Sequence, residues 1–209
     1  MYEVLSKFPL RKINFVKTRV AILNAVRTLL QEKNFTDITV DEICQKAQIS
    51  RGTFFNYFAG KENVFDYYLR IFTIKVSLRI SEWRDTKSFD EKIAAIYEWM
   101  KDEQEYPKFI DNYISFLLNK GFFQEEVKLS EAEFVFFFEE ITPDKYDAYN
   151  ELTLQTIFED ICQKSNEIVP VDKLQLGHMF ASLLIGTYVA DTLDPSTEHL
   201  SKFTKILCA

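Results

Sequence analysis

The stretch TVDEICQKAQISRGTFFNYFAGKENVF, residues 39–65, decides the fold. Thr39 is followed three residues later by Glu42, a capping box in which each side chain satisfies the other residue's free backbone N–H. A helix is therefore predicted from Val40, with Ile43 and Ala47 on its inner face. It is short, because Gln48-Ile49-Ser50 follows and Ser50 is a good N-cap for a next helix over Arg51 to Phe58. Ala59-Gly60 then breaks the chain, and Lys61-Glu62 opens a long helix to about Arg84. Upstream, Ile22, Ala25, Val26, Leu29 and Leu30 make one apolar face of a helix over Thr18 to Lys33, which Asn34-Phe35 can end. Two short helices joined by a tight turn behind a packing helix read as a helix-turn-helix unit.

The side chains of the predicted 51–58 helix suit a DNA groove. Arg51 matches the paired acceptors of guanine, and Thr53 can bond a base edge or touch a thymine methyl. Gly52 lets the backbone come close, and Asn56 suits adenine. Tyr57 and Lys61 sit where a hydroxyl and an ammonium can hold phosphates. Each residue taken singly has a plainer reading: solvated charge for Arg51 and Lys61, half-buried packing for Tyr57. At this spacing, after this capping box, the joint reading is the stronger one.

Charge agrees once its distribution is considered. The whole chain of 209 residues carries −7, yet residues 1–62 hold ten Lys/Arg against six Asp/Glu and the remainder is strongly acidic. A basic start on an acidic body suits a polyanion-binding end. The N-terminal arm adds Lys7, Arg11, Lys12, Lys17 and Arg19, which can reach phosphates or the minor groove. A frayed, solvated terminus is the plainer alternative.

Residues 39–65 resemble the DNA-binding domain of the TetR/AcrR regulators. Thr39, Ser50, Gly52, Thr53, Phe55, Tyr57, Phe58, Lys61 and Glu62 stand at the family's positions in order and spacing, and the likeness covers roughly residues 18–65. It implies base or groove contacts from Arg51, Gly52, Thr53 and Asn56. It implies phosphate contacts from Thr39, Ser50, Tyr57 and Lys61. Two departures stand out. Gln48 replaces a glycine that is frequent in the turn, which is then expected to be less tight. Phe55 replaces a tyrosine, which removes one hydroxyl.

The fold class expected is all-α: a helix-turn-helix domain over 1–64, then a larger helical effector-binding and dimerisation domain over 65–209. In the body, Ser88 to Glu91 forms another Ser-x-x-Glu start, leading through Ile93, Ile96, Tyr97 and Met100. Pro107 suits a helix start before Phe109, and Gly121 ends that segment. Ser130 to Ile141 is a shorter segment, and Pro143-Asp144 opens a helix to about Glu167. Asp172 to Leu193 is apolar nearly all round, so one side faces its own domain and the other needs a partner. Ser182, Gly186 and Ala190 form a small-residue row that admits a close helix. With Leu183, Val189, Phe203 and Leu207, the last two from a final helix starting near Ser196, they make the expected homodimer interface. The resemblance implies the same thing, since its last two long helices form a four-helix dimer bundle. A twofold dimer would read a palindromic operator in double-stranded DNA.

Phe109, Tyr113, Phe116, Phe137, Tyr149 and Phe158 are candidate lining for an apolar small-molecule effector, with plain core packing the simpler reading of each. Phe122, Phe123 and Phe134 extend that set. His178 and His199 lack metal-ligand spacing, and no His-Glu-x-x-His, Cys-x-x-Cys, Gly-x-Ser-x-Gly or phosphate-loop pattern occurs. No cofactor or metal is expected, and no catalysis. Cys44, Cys162 and Cys208 are odd in number and widely spaced, which suits a reducing cytosol over a disulfide framework. No apolar stretch reaches the roughly 20 residues of a membrane span. Three functions follow, in order: a ligand-responsive repressor, a DNA-bound scaffold acting through a protein partner, and a helical carrier or enzyme that has lost DNA binding.

Overall fold

The computed structural model describes residues 3–83, 86–102, 108, 110–112, 114–115, 127–164, 173–194 and 199–200. Among them the regular elements are all helical. The helices are α1 (Leu10–Glu32), α2 (Val40–Ala47), α3 (Arg51–Tyr57), α4 (Lys61–Glu82) and α5 (Phe89–Met100), followed by α6 (Glu131–Phe137), α7 (Tyr146–Asn150), α8 (Leu154–Lys164) and α9 (Lys173–Leu193). The chain divides into two compact units, one of Met1–Phe72 with Phe116–Glu151, the other of Thr73–Ser115 with Leu152–Ala209.

In the first unit, α1 starts eight residues earlier than its apolar periodicity predicts. Pro9 takes the N-cap position with φ −58°, and its carbonyl accepts from the Lys12 and Ile13 N–H groups. The extra turns are held by packing: Leu5, Val16, Val20 and Ala132 form a buried cluster flanked by Phe8, Ile13, Phe136 and Phe137. The expected arm is thus helix. Lys12 pairs with Glu131 at 3.4 Å, and Arg19 is buried rather than aimed at DNA.

Arg19 anchors a buried polar network. Its Nη1 lies 3.0 Å from Glu133 Oε1 and 3.2 Å from Oε2. The Tyr67 hydroxyl donates to Oε1 at 2.7 Å, and the Ser130 N–H and hydroxyl donate to Oε2 at 2.8 and 2.7 Å. The guanidinium sits 4.0 Å from the Tyr67 ring centre, 5.0 Å from Phe58 and 5.4 Å from Phe15. One carboxylate therefore ties α1, α4 and α6 together. Segment 127–130 is fixed at its other end by Asn150, whose amide mimics a backbone pair with Leu129, accepting from its N–H at 2.8 Å and donating to its carbonyl at 3.0 Å. Arg70 Nε adds a bond to the Val127 carbonyl at 3.1 Å.

The single helix expected from Pro143 to about Glu167 is three pieces: a 3-10 turn at Pro143–Lys145, then α7, then α8. The break falls where Asn150 turns inward and Thr153 starts a new helix, its hydroxyl accepting from the Thr156 N–H at 3.0 Å. The second unit then buries Ile93, Ile96, Tyr97 and Met100 of α5 with Leu154, Ile157, Phe158 and Ile161 of α8, each set at helical spacing. The Tyr97 hydroxyl donates to Asp191 at 2.7 Å, and burial with that carboxylate pushes its pKa up. The Tyr188 hydroxyl donates to Asp111 at 2.6 Å. No helix among the described residues is long and apolar enough to cross a membrane.

Glu133 is fully buried. Removing one partner of a buried ion pair strands the other, so Glu133→Ala is expected to cost about 3–5 kcal/mol, and Glu133→Gln less because its one amide oxygen still accepts from either Tyr67 or Ser130 and the site stays filled. Urea unfolding checks this; a loss below about 1 kcal/mol would show that Arg19 reaches water once Glu133 is gone.

Candidate nucleic-acid interface

α1 packs on both α2 and α3, and α2 on α3. The capping box at Thr39 forms as expected: the Glu42 N–H donates to Thr39 Oγ1 at 3.3 Å, and Glu42 Oε2 accepts from the Thr39 N–H at 2.9 Å and the Thr39 hydroxyl at 2.8 Å. Lys33 closes on the same carboxylate. The turn is made by Gln48, in the left-handed region at φ 56°, ψ 45°. The turn expected to loosen at this residue instead closes, with the Ile49 N–H reaching the Cys44 carbonyl at 3.0 Å. A side chain costs about 1–2 kcal/mol in that conformation, which a glycine would avoid. Ser50 caps α3, accepting from the Thr53 N–H at 3.0 Å, and the two hydroxyls share one hydrogen bond at 2.8 Å, so one hydroxyl proton is left over.

α3 has two faces. Phe54 and Phe58 are buried, in line with Tyr67 of α4, whose ring lies 5.6 Å from that of Phe58. Arg51, Gly52, Phe55 and Asn56 are exposed, and Thr53 is half-buried. A methyl group added at Gly52 would meet only Ser50 Oγ, 3.8 Å away, so the backbone there is open to a close approach. The Tyr57 ring is half-buried against Phe15 of α1, with ring centres 5.3 Å apart. Of the expected groove residues, Arg51, Gly52 and Asn56 therefore share one exposed surface.

Lys61 departs from expectation. Its ammonium donates to the carbonyls of Phe35, Thr36 and Ile38 at 3.0, 2.9 and 2.7 Å. An ammonium has three N–H bonds, so none is left for a phosphate. Lys61 closes the 35–38 turn before α2. Sequence reasoning also missed Asp41, whose two oxygens accept from Arg51 Nη1 at 2.7 and 2.9 Å. It missed Glu133, hidden beside the apolar run 134–138, where the Ser-x-x-Glu spacing from Ser130 was the available signal. Cys44 is free and buried, and burial pushes its thiol pKa up.

The other expected sites fare unevenly. Phe137 packs against the Leu5–Val16–Val20–Ala132 cluster, its ring 6.3 Å from Tyr67, a packing role in place of the expected pocket lining. Tyr149 belongs with it to the first unit, and burial raises its phenol pKa. Phe158 is buried in the second unit. Phe109, Tyr113, Phe116, Phe122, Phe123, Phe203 and Leu207 lie outside the described residues. On α9, Ser182, Gly186 and Val189 are exposed, and Leu183 and Ala190 are half-buried.

An N-capped α2, a tight turn and an exposed α3 face on a packed α1 define a helix-turn-helix domain. Residues 22–68 match the family profile described as bacterial regulatory proteins, tetR family, and this segment is a tetR-family domain. The Transposon Tn10 TetC protein of Escherichia coli is 26% identical over 89 residues, 43% of this chain. That match spans 45% of the length of the curated relative. Among solved structures, the reduced form of E. coli NemR matches with a TM-score of 0.54 at 18% identity, over 91% of this chain and 95% of that one. Salmonella enterica GusR matches at 0.52 and 14%, over 91% and 93%. These two likenesses establish the fold.

The Lys33 ammonium, then the Thr39 N–H and hydroxyl, lower the Glu42 carboxyl pKa from 4.5 to about 2. A folded-state pKa below the unfolded one adds stability at pH above 4.5 that is lost as pH falls towards 2. The wild type is therefore expected to lose melting temperature more steeply than Glu42→Gln across that window. Parallel curves would show that this carboxylate is not held in solution.

Proposed function

We propose that the chain is a sequence-specific DNA-binding transcriptional regulator, a ligand-responsive repressor that binds a palindromic operator as a homodimer in the cytoplasm. The carrying observation is the exposed row Arg51, Gly52 and Asn56 on a helix whose opposite face, Phe54 and Phe58, is locked into the core. In this reading Arg51, Gly52, Thr53 and Asn56 meet bases. Ser50 and Tyr57 hold phosphates, and Thr39 does so by turning its hydroxyl from Glu42 to a phosphate oxygen. DNA binding belongs to residues 1–64, with segment 127–151 as a brace against α1. The effector is a small, apolar molecule held in the body beyond residue 65, whose aromatic content supports that part of the reading. The reading includes no catalysis.

The dimer is supported by α9. Leu184 and Thr187 point into the second unit, while Met179, Ser182, Gly186, Val189 and Leu193 are exposed, Val189 by 48% and Leu193 by 81%. These five recur at alternating steps of three and four residues, the spacing of a helix-pairing seam. At Gly186 an added methyl group would meet nothing within 4 Å, so a second helix has room to come close.

An unbiased duplex selection with the full chain tests the DNA reading. One enriched palindromic sequence is expected, bound more weakly as salt rises. Arg51→Ala is expected to cost about 1–3 kcal/mol of binding, and Tyr57→Phe to cost less and to act alike on every sequence. Equal, weak binding by wild type and both variants would sink the assignment.

Gly186→Leu tests the dimer separately. It adds helix propensity of about 1 kcal/mol, and its Cβ meets nothing within 4 Å among the described residues, so the fold is expected to survive by circular dichroism. Sedimentation should then show monomer where the wild type shows dimer. An unchanged sedimentation coefficient places the interface elsewhere.

A further inference from the structure

The Asp41–Arg51 pair is poorly explained as a stabilising contact. Its side chains are 66% and 61% exposed, and ion pairs so open to water contribute little to folding. It also places an acid on the surface that the proposed function turns towards a polyanion, where a lone carboxylate repels phosphate. Its geometry fits a different role. Both Asp41 oxygens engage a single guanidinium nitrogen, Nη1, at 2.7 and 2.9 Å. The edge formed by Nε–H and Nη2–H stays clear of the carboxylate. That edge offers two parallel donors, the arrangement that meets O6 and N7 of guanine in the major groove. The Phe55 ring, one turn along α3 and half-exposed, lies 6.0 Å from the guanidinium carbon and walls off one side.

We infer that Asp41 is a specificity-determining residue: it holds Arg51 so that the remaining guanidinium edge reads a guanine in each half-site. This inference rests on the DNA-binding reading and adds to it a base and a buttress. Two effects act in the same direction. An arginine held in advance loses less side-chain freedom on docking, so its contact with the right base is stronger. The carboxylate weakens binding wherever Arg51 finds no guanine, because a negative charge then faces the phosphates without compensation. Specificity is the difference between these two affinities, and Asp41 widens it from both ends. Asp41 contacts no base itself; it acts through Arg51.

The test uses the full chain and the duplex enriched by selection, compared with duplexes in which each guanine in turn is replaced by adenine or by 7-deazaguanine. The deaza base keeps its pairing and lacks only the N7 acceptor. At one position per half-site the wild type is expected to prefer guanine by about tenfold or more, and to lose affinity several-fold on the deaza duplex. Arg51→Ala is expected to abolish both differences. Asp41→Ala is expected to shrink the guanine preference several-fold while tightening binding to unrelated duplex. In the Arg51→Ala background, Asp41→Ala should leave base preference unchanged. Asp41→Asn separates charge from geometry: it keeps one acceptor for Arg51 and is expected to retain more of the preference than Asp41→Ala. If Asp41→Ala and Asp41→Asn tighten binding to every duplex alike and leave the preference intact, Asp41 is only a repulsive charge and the inference is overturned. It is equally overturned if an enriched site exists but none of its guanines depends on Arg51. If the wild type enriches no sequence, the DNA-binding reading itself fails.

Discussion

The buried pair of Arg19 and Glu133 is the constraint on which the first unit depends. Taking both charges out of water is costly, and their attraction offsets that cost only where the remaining hydrogen-bonding capacity is filled. Glu133 meets that condition, with Tyr67, Ser130 and Arg19 all donating to it. Arg19 meets it partly through rings: its Nε is buried without a hydrogen-bond partner, while three aromatic faces surround the guanidinium. Such a cluster tolerates one arrangement of α1, α4 and α6 and penalises any slip of one along another. An apolar contact of the same size would allow sliding at small cost, because hydrophobic attraction has no direction.

This constraint reaches the recognition surface in one step. Phe58 directly follows α3 and rests on the Arg19 guanidinium, and Phe15, one turn before Arg19 on α1, packs at a tilt against Tyr57. α3 is therefore gripped at its C-terminal end by the same residues that hold segment 127–151 in place. At its other end the Ser50 cap and the Gln48 turn fix the approach from α2. A seven-residue helix has little stability of its own, so these two ends, with Phe54 buried between them, set its tilt. The exposed row is rigid because the buried row leaves it no alternative.

What was legible in the sequence was local. The capping boxes at Thr39 and Ser88, the N-cap at Ser50 and the breaks around residues 48 and 60 each depend on residues within four positions, and they form where the spacing puts them. What was not legible depends on partners far away. The Glu133 partner Arg19 is 114 residues distant, so Arg19 read as one more cation of a basic arm. The first turns of α1 carry Arg11, Lys12, Asn14 and Lys17 among their apolar residues and hide their periodicity. Their helix is stabilised by Ala132 and Phe136, which no local pattern connects to them. The break after Asn150 was missed for the same reason, since its cause is the Leu129 backbone 21 residues upstream.

Lys61 shows how a correct pattern can still mislead about a role. Its position after Gly60 fits a phosphate clamp, and position alone cannot distinguish that from a lysine that satisfies its own fold. The distinction lies in the acceptors. The 35–38 turn leaves the carbonyls of Phe35, Thr36 and Ile38 converging on one point, and the three N–H bonds of the Lys61 ammonium donate to all three at once. The Phe35 carbonyl also accepts from the Ile38 N–H at 3.2 Å, so Lys61 reinforces a turn that the backbone closes whether or not DNA is present. The turn in turn sets where Thr39 caps α2, and α2 carries the carboxylate that holds Arg51. Lys61 therefore serves recognition through the backbone it organises, and the charge that seemed to face outward supports the scaffold from within.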